Sequence, residues 1–317
     1  MKVGLFMDLR NPEAWRRPWA EHYARSLEWC EEAERLGADA VWLTEHHFFE
    51  DGYLPQPLTF AAAIAARTSR IRIGTAVLLG ALRSPVHVAE EAAIVDLVSG
   101  GRLELGFGPG YREVEFEAFE SNLASRRRRT EETLQAVRDL YSAEAVSPGP
   151  AQSVVPMWLG YQGPRGAYRA GQLGVGLLSL RRSLLEPLRE GLAEGGHDPD
   201  DARMGGVVEI IVADDPDEAI ERIRPHYVHQ QLTYREAHGD SAGSDADDIP
   251  RATSVDGCGL AVLTAEDAVR AIRLRTEGLP VEHVYLWASI AGMPDDLVER
   301  HLELLCSTVA PAVRGVS

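Results

Sequence analysis

The sequence predicts an α/β protein, a single-domain (β/α)8 TIM barrel with insertions that spans residues 1–317. Short apolar runs rich in β-branched residues alternate with longer segments of helical period, as in repeated strand-helix units around a parallel sheet. Eight strand candidates, most of them followed by a helix, occur in a chain of 317 residues, which suits one closed barrel. An open, doubly wound sheet is the alternative fold for the same alternation.

The first half of the chain contains four strand-helix units. In the first helix, apolar residues from Tyr23 to Leu36 recur at spacings of three and four, and Gly37 ends the helix. The expected pairs of strand and helix are 3–7 with 20–36, 40–43 with 58–68, 71–79 with 86–98, and 103–105 with 126–141.

The second half continues the alternation less regularly. Its strands are expected at 156–159, 175–180, 207–212 and 283–287, with helices at 166–172, at 183–193, beyond residue 217 and at 295–309. Residues 239–248 contain no apolar side chain larger than alanine, so they are predicted to form a mobile acidic loop. Because they lie between the seventh and eighth strands, we expect them to form part of a lid near the barrel mouth.

Composition and charge exclude several classes of protein. The chain has 32 Lys and Arg against 49 Asp and Glu, a net charge of -17 that disfavours nucleic acid and anionic membranes as partners. No apolar run approaches the roughly 20 residues that cross a bilayer, and the first residues lack a signal-peptide pattern. The 3 cysteines are odd in number and far apart, which fits neither a disulfide framework nor a zinc site. The expected location is the cytoplasm.

The strongest chemical signal is Glu45-His46-His47, directly after the second strand. Active sites of such barrels are built at the carboxyl ends of the strands. Imidazoles exchange protons near neutral pH, and a neighbouring carboxylate can orient them, so these three residues are the catalytic candidates. A purely structural histidine pair is the alternative. A metal site is disfavoured because adjacent side chains of an extended chain point in opposite directions and the H-E-x-x-H pattern is missing.

A glycine-rich turn follows the fourth strand. Gly106, Gly108 and Gly110 would let a flat or phosphorylated ligand approach the backbone closely. Pro109 lacks an N–H donor and Tyr111 stands where G-x-G-x-x-G requires its last glycine, which disfavours a Rossmann nucleotide site. A tight turn without a ligand is the alternative.

A second glycine-rich turn follows the fifth strand and opens a helix. Free N–H groups around Gly160, Gln162 and Gly163, together with Arg165, suit a phosphate because the helix dipole and the guanidinium both favour an anion. Ordinary turn chemistry at a helix start is the alternative.

Two further segments have weaker signals. The third strand ends in Thr75, Ala76 and Val77, which would leave room for a planar ring or could serve packing alone. The basic run 126–129 is interpreted as a solvated helix face, although one of its arginines could reach a phosphate. No serine or cysteine lies in a motif of nucleophilic catalysis.

Three segments together resemble the bacterial luciferase-like flavin monooxygenase family. They are Glu-His-His-Phe at 45–48, Ile-Arg-Ile-Gly-Thr-Ala-Val at 71–77 and Gly-Arg-Leu-Glu-Leu-Gly at 101–106. Their order and spacing agree with the family, and the resemblance is close from residue 1 to about residue 180. Taken together, the motifs are specific for the family but not for a substrate.

The resemblance implies a barrel that binds reduced FMN from a separate reductase, reacts it with oxygen and oxygenates a small organic substrate. It implies that His46 is the catalytic histidine and that Ala76–Val77 is a non-proline cis peptide under the flavin ring. Pro109 replaces an arginine of the family pattern and Gln162-Gly163 replaces an acid-serine pair, so Arg165 is the candidate cation for the phosphate. The residues expected to contact the flavin are Thr75, Ala76, Val77, Gly106, Gly108, Gly110, Tyr111, Gly160, Gln162, Gly163 and Arg165.

Three functions are therefore compared. The leading one is a two-component FMN-dependent monooxygenase with a transient flavin reductase as partner. The alternatives are a deazaflavin-dependent hydride-transfer enzyme on the same barrel and a non-catalytic flavin-binding protein. The Glu-His-His form favours FMN, since the deazaflavin branch often has Asp-His. A homodimer is expected from the resemblance and from the apolar faces of the helices at 58–68 and 86–98.

Overall fold

The computed structural model describes residues 1–238 and 259–314, so the predicted acidic loop at 239–248 lies outside the described residues. The strands are β1 Lys2–Met7, β2 Ala40–Leu43, β3 Arg72–Thr75, β4 Leu78–Leu79, β5 Leu103–Gly108, β6 Met157–Leu159, β7 Gly176–Leu178, β8 Met204–Val208, β9 Ile210–Val212, β10 Ala261–Leu263 and β11 Val281–Trp287. The α-helices are α1 Trp19–Leu36, α2 Pro57–Arg67, α3 Pro85–Ser99, α4 Glu113–Ala118, α5 Arg126–Ser142, α6 Pro164–Gln172, α7 Leu185–Glu194, α8 Pro216–Ala237, α9 Ala265–Thr276, α10 Asp295–Leu304 and α11 Ala310–Arg314.

Residues at the helix termini explain where several helices begin and end. α2 and α3 begin at Pro57 and Pro85, where the fixed φ of proline suits the first helical turn. α1 and α3 end at Gly37 and Gly100, whose φ values of 96° and 68° place them in the left-handed region that favours glycine. Of the helices that the structure describes, none is both long and apolar enough to cross a membrane.

Eight parallel strands form a closed barrel, which confirms the predicted fold class. The order around it is β3-β2-β1-β11-β8-β7-β6-β5. Pairing of Ile73 with Leu103 and of Gly74 with Glu104 joins β3 to β5 and closes the ring. The open, doubly wound alternative is therefore wrong, because an open sheet would leave β3 and β5 as separate edges.

Aromatic rings fill the barrel interior. The ring of Trp42 stacks on Tyr285 with 5.1 Å between centroids. The indole rings of Trp42 and Trp158 each pack against a glycine. A Cβ atom on Gly74 would lie 2.4 Å from the Trp42 ring, and one on Gly176 would lie 2.1 Å from the Trp158 ring, so both positions need glycine. Residues without side chains thus make room for the two indoles, and the barrel is a packed core.

One buried carboxylate, that of Glu104, lies within this aromatic core. The Glu104 carboxylate accepts a hydrogen bond of 2.8 Å from Trp158 Nε1 and lies 3.0 Å from His283 Nε2, and it also pairs with Arg72. Burial raises the pKa of Glu104, but the hydrogen bonds and charges of His283 and Arg72 outweigh burial and lower it to about 2. A buried charge with these partners is satisfied on both carboxylate oxygens.

The structure corrects two predicted strands and adds elements that were not predicted. The segment 71–79 is β3 and the separate, short β4, with a cis peptide bond between Ala76 and Val77. The segment 207–212 divides at Glu209, which accepts a hydrogen bond from Trp287. β8 stays in the barrel, whereas β9 pairs with β10 in a separate two-stranded sheet. α4, β10 and α9 have no counterpart in the predicted elements.

Candidate active site

A cavity of about 650 Å³ opens at the carboxyl ends of the barrel strands. Its walls come from the segments that follow β2, β3, β5 and β6 and from the first turns of α5 and α6. Nine of the residues predicted to form the site line it: Glu45, His46, Ala76, Val77, Gly110, Tyr111, Gly160, Gln162 and Arg165. The structure therefore brings together motifs that are more than a hundred residues apart in the sequence.

His46 lines this cavity and is held from behind by a buried carboxylate. Its Nδ1 donates to Glu115 Oε1 at 2.9 Å, and the same oxygen accepts from the backbone N–H of His47 at 2.8 Å. Glu115, on the short helix α4, is fully buried. Since Nδ1 is engaged, Nε2 is the ring nitrogen of His46 that remains for a molecule in the cavity.

Glu45 and His47 form a second hydrogen-bonded pair, of which Glu45 lines the cavity and His47 does not. His47 Nε2 donates to Glu45 Oε1 at 2.9 Å, and Arg83 Nη2 donates to the same oxygen at 2.7 Å. Burial raises the pKa of Glu45, but the hydrogen bond from His47 and the charge of Arg83 outweigh burial, so the pKa lies below its usual value. The neighbouring carboxylate Glu45 therefore binds His47, whereas the carboxylate that binds His46 is the distant Glu115.

The Ala76–Val77 segment forms one wall of the cavity, and the bond between the two residues is cis, in agreement with the resemblance. Its neighbours are glycines for steric reasons. A Cβ atom on Gly108 would lie 2.1 Å from Val77, and one on Gly106 would lie 2.1 Å from the carbonyl oxygen of Thr75. Thr75, Gly106 and Gly108 are buried and do not line the cavity, so their place in the fold is packing behind this wall.

Arginines collect at another part of the same cavity. Arg126 and Arg127 at the start of α5, with Arg165 and Arg169 on α6, all line it. Arg169 pairs with Glu131 at 2.9 Å, and the other three have no ion-pair partner among the described residues. Within the basic run 126–129, Arg126 is half-buried and Arg127 is exposed, and these two line the cavity whereas the next two do not.

The start of α6 adds polar groups of the backbone to this basic region. Gly163 is the N-cap residue, with a φ of 79° that favours glycine, and the helix follows at Pro164. Gly163 itself is not in the cavity lining, whereas Gln162 and Gly166 on either side are. A helix N-terminus and several guanidiniums at one place suit a dianionic phosphate.

A cluster of buried charged residues around Arg10 lies next to Tyr53, which lines the cavity. The Arg10 guanidinium lies 4.6 Å from the ring centroid of Tyr53 and 4.7 Å from that of Tyr234, and it binds Asp51 at 2.6 Å. Burial raises the pKa of the adjacent Asp8 to about 6, although the charge of Arg10 opposes this rise. The cluster joins the end of β1 to α8 and fixes Tyr53, whose ring contacts His46 edge-on at 5.0 Å.

Several residues of the site were not found from the sequence. Glu115 is 69 residues from His46, and no local pattern links a carboxylate to a histidine at that distance. Arg126 and Arg127 belong to the basic run from which one arginine was expected to be able to reach a phosphate, but they were not among the residues expected to contact the flavin. Within residues 1–238 and 259–314, no group of three or more His, Cys, Asp or Glu is placed to hold a metal ion.

The arrangement combines three chemical capabilities in one cavity. An imidazole of fixed orientation can accept or donate a proton at Nε2. A wall of small residues can accept a planar ring, and the arginines opposite can bind an anionic tail. These are the requirements of a site for a phosphorylated, ring-bearing cofactor beside a small substrate.

Comparison with known proteins agrees with this chemistry. The family model described as luciferase-like monooxygenase matches residues 1–274. Limonene 1,2-monooxygenase from Rhodococcus erythropolis is 28% identical over 323 aligned positions, which cover 92% of this chain and 81% of that protein. The F420-dependent glucose-6-phosphate dehydrogenase of Kribbella flavida is 28% identical, and the match covers 71% of this chain and 76% of that protein.

Other matches are shorter or structural. Two uncharacterised proteins of Sinorhizobium fredii are 42% and 41% identical, but the matches cover only 28% and 29% of their lengths. The crystal structure of a monooxygenase from Streptomyces bottropensis superposes with a TM-score of 0.82 at 25% identity, covering 98% of this chain and 99% of that one. The family model and the complete superposition agree with the motifs and the barrel. The chain therefore belongs to the luciferase-like monooxygenase family.

Proposed function

We propose that this protein is the oxygenase component of a two-component, FMN-dependent monooxygenase that acts on a small organic substrate. The observation that carries the proposal is a single cavity with His46 at one part and, at another, arginines that have no ion-pair partner among the described residues. The Ala76–Val77 wall lies in the same cavity. This distribution corresponds to the ring and the phosphate of FMN.

The residues present fit such a cofactor. The cavity volume of about 650 Å³ leaves space for a flavin and a small substrate together. Arg126, Arg127 and Arg165 would offset the negative charges of its phosphate. Pro109, which stands where the family resemblance expects an arginine, is also in the lining, so these cations from α5 and α6 would serve in place of that arginine.

When bound, reduced FMN would supply the two electrons that allow one atom of O₂ to enter the substrate while the other leaves as water. The protein holds the partners of this reaction in place. His46 would give or take the proton at Nε2, because Glu115 fixes the tautomer with hydrogen on Nδ1. The rings of Tyr53 and Tyr111, with centroids 5.0 Å from that of His46, pack edge-on against the imidazole and help to hold its orientation.

A deazaflavin-dependent hydride-transfer enzyme is the second candidate function. The similarity to the Kribbella dehydrogenase supports it, since that protein is F420-dependent and matches 71% of this chain. The Glu45-His46-His47 sequence favours FMN. The similarity to the limonene monooxygenase, which extends over 92% of this chain, also favours an oxygenase.

Cofactor titration and oxygen consumption distinguish these functions. The purified protein is first titrated with FMN and with oxidised deazaflavin. Each reduced cofactor is then added under air, and an excess of a flavin reductase is included where the cofactor is FMN. An FMN-dependent oxygenase binds FMN and changes the rate of oxygen uptake or its product. Tight binding of deazaflavin alone would establish the second function, and binding of FMN without any effect on its reoxidation would leave a flavin-binding protein.

A further inference from the structure

A second cavity lies beside the first and shares two of its residues. It has a volume of about 610 Å³ and is enclosed by the segment after β2, by α4 and by the end of α8. Tyr111 and His238 line both cavities. Among the described residues, these are the two side chains that stand between the cavities.

The two rings form one aromatic stack that ends at His46. The Tyr111 and His238 rings are 4.1 Å apart at an interplanar angle of 16°, and the other side of Tyr111 meets His46 edge-on at 5.0 Å. His238 is held by a hydrogen bond of 2.7 Å between its Nδ1 and the carbonyl oxygen of Tyr234. Tyr111 is thus fixed by ring contacts on two sides.

No polar contact accounts for the tyrosine hydroxyl. The Tyr111 hydroxyl is buried and has no hydrogen-bond partner in the part of the chain that the structure describes. Phenylalanine would therefore keep the wall and remove only an unsatisfied group, whereas alanine would remove the wall. Comparing the phenylalanine and alanine variants of Tyr111 therefore distinguishes the steric role of the ring from any role of the hydroxyl.

We propose that Tyr111 is a specificity-determining residue whose ring, stacked on His238, closes the reaction cavity and sets the longest substrate that it admits. The proposal rests on the proposed function, because it places the substrate beside the flavin in the first cavity. Without the ring, the two cavities form one continuous space, and a longer substrate extends into the second cavity.

The second cavity offers both apolar and charged side chains to an extended substrate. Phe48, Phe49, Val114 and Leu123 line it, and so do Asp51, Arg112, Glu113 and Glu236. Each methylene that moves from water into contact with the four apolar side chains strengthens binding by up to about fourfold. A chain that reaches a wall stops gaining affinity, so the chain length at which the gain ends measures the position of the wall.

The test is a series of straight-chain alkan-1-ols from six to ten carbons, about the span of one cavity, titrated calorimetrically into the wild type and two variants. In the wild type, affinity rises with chain length and then levels off. In Tyr111→Phe it levels off at the same length. In Tyr111→Ala the rise of up to about fourfold per methylene continues to longer chains. An identical plateau in the wild type and Tyr111→Ala would overturn the proposal.

A blocking variant locates the added methylenes. Val114 lines the second cavity but not the first, and it is 45% exposed on α4. Tyr111→Ala combined with Val114→Trp should lose the extended rise, and retention of that rise would also contradict the proposal. His238→Ala, which removes the other half of the stack, serves if Tyr111→Ala fails to fold.

The titrations are run with and without FMN. Absence of FMN binding would defeat the proposed function, while the comparison of chain lengths without cofactor still tests the wall.

Discussion

At the scale of single residues, the decisive feature is that two adjacent histidines have different partners. His46 is bound through Nδ1 to Glu115, whereas His47 is bound through Nε2 to Glu45. The sequence identified both histidines but could not show which carboxylate binds which histidine, because Glu115 on α4 lies 69 residues from His46 in the chain. A six-residue helix also presents too short a periodic pattern to be recognised before the structure is known.

His46→Ala is expected to lower turnover roughly 100-fold to 10,000-fold, which is the usual contribution of a positioned acid or base. FMN affinity should change little, because the arginines on α5 and α6 are untouched. Single-turnover oxidation of the reduced cofactor and equilibrium FMN titration measure the two quantities. His47→Ala is the comparison and should lose less turnover, and full activity in His46→Ala would rule out this role.

Glu115→Gln is expected to lower turnover by about 10-fold to 100-fold, the usual effect of neutralising a carboxylate that orients a functional histidine. The amide keeps the size of the side chain but removes the charge that faces His46 Nδ1. Steady-state kinetics give the loss, and the melting temperature reports any change in folding. Glu117→Gln, an exposed change on the same helix, should behave as the wild type. Equal activity of both variants would show that Glu115 does not act through His46.

At the scale of elements, the barrel strands and most of their helices were predicted, including β6 and β7 of three residues each, whereas α4, β10 and α9 were not. β9 and β10 have three residues each and meet only after α8 has intervened, so their pairing is a long-range event that no local pattern encodes. β3 and β4 were predicted as one strand because both lie in one apolar run, and apolar composition carries no information about the cis bond between them. Arg72–Thr75, Leu103–Gly108 and Val281–Trp287 were found because their side chains are nearly all buried.

His301 on α10 connects three elements and gives a pH-dependent prediction. Its Nδ1 accepts from the N–H of Val212 on β9 at 2.8 Å, and its Nε2 donates to the carbonyl oxygen of Trp287 on β11 at 3.0 Å. Burial lowers the pKa of His301 from 6.5 to about 4 and outweighs the hydrogen bond to the carbonyl oxygen of Trp287, which favours the protonated ring. The unfolded chain therefore takes up a proton at His301 at a higher pH than the folded chain does.

The stabilising contribution of neutral His301 is complete above pH 6.5 and is lost as the pH falls toward 4. Compared with His301→Gln, which does not titrate, the wild type should lose on the order of 3 kcal/mol of unfolding free energy between pH 7 and pH 4. Urea unfolding at several pH values measures this difference. His197→Gln, at an exposed position, should run parallel to the wild type. A constant gap between wild type and His301→Gln over this range would contradict the assignment.

At the scale of the whole molecule, α3 presents an apolar face that the barrel does not cover. Val86, Ile94, Leu97 and Val98 are 49%, 46%, 40% and 49% exposed, respectively. These side chains lie on the outer surface of α3, whereas Val88, Ala92 and Val95 face the core. An exposed apolar group of this size on a helix favours contact with another protein surface.

We expect the chain to form a homodimer through α3. Sedimentation velocity at micromolar concentration should give the mass of two chains, and Ile94→Glu with Leu97→Glu should shift the protein to one chain, because two buried charges would be unpaired. Leu274→Glu is the control, since Leu274 is 65% exposed on α9, away from this face. A monomeric wild type at that concentration would refute the expectation.

The closure of the barrel between β3 and β5 also determines where the protein is vulnerable to self-assembly. A closed ring has no free strand edge, so its eight strands offer no template for pairing with another chain. Among the described residues, open edges remain only at the two-residue β4 and along the β9–β10 pair. Within the described residues, aggregation by edge pairing is therefore limited to the two-residue β4 and to the small sheet of Ile210–Val212 and Ala261–Leu263, whose residues are nearly all buried.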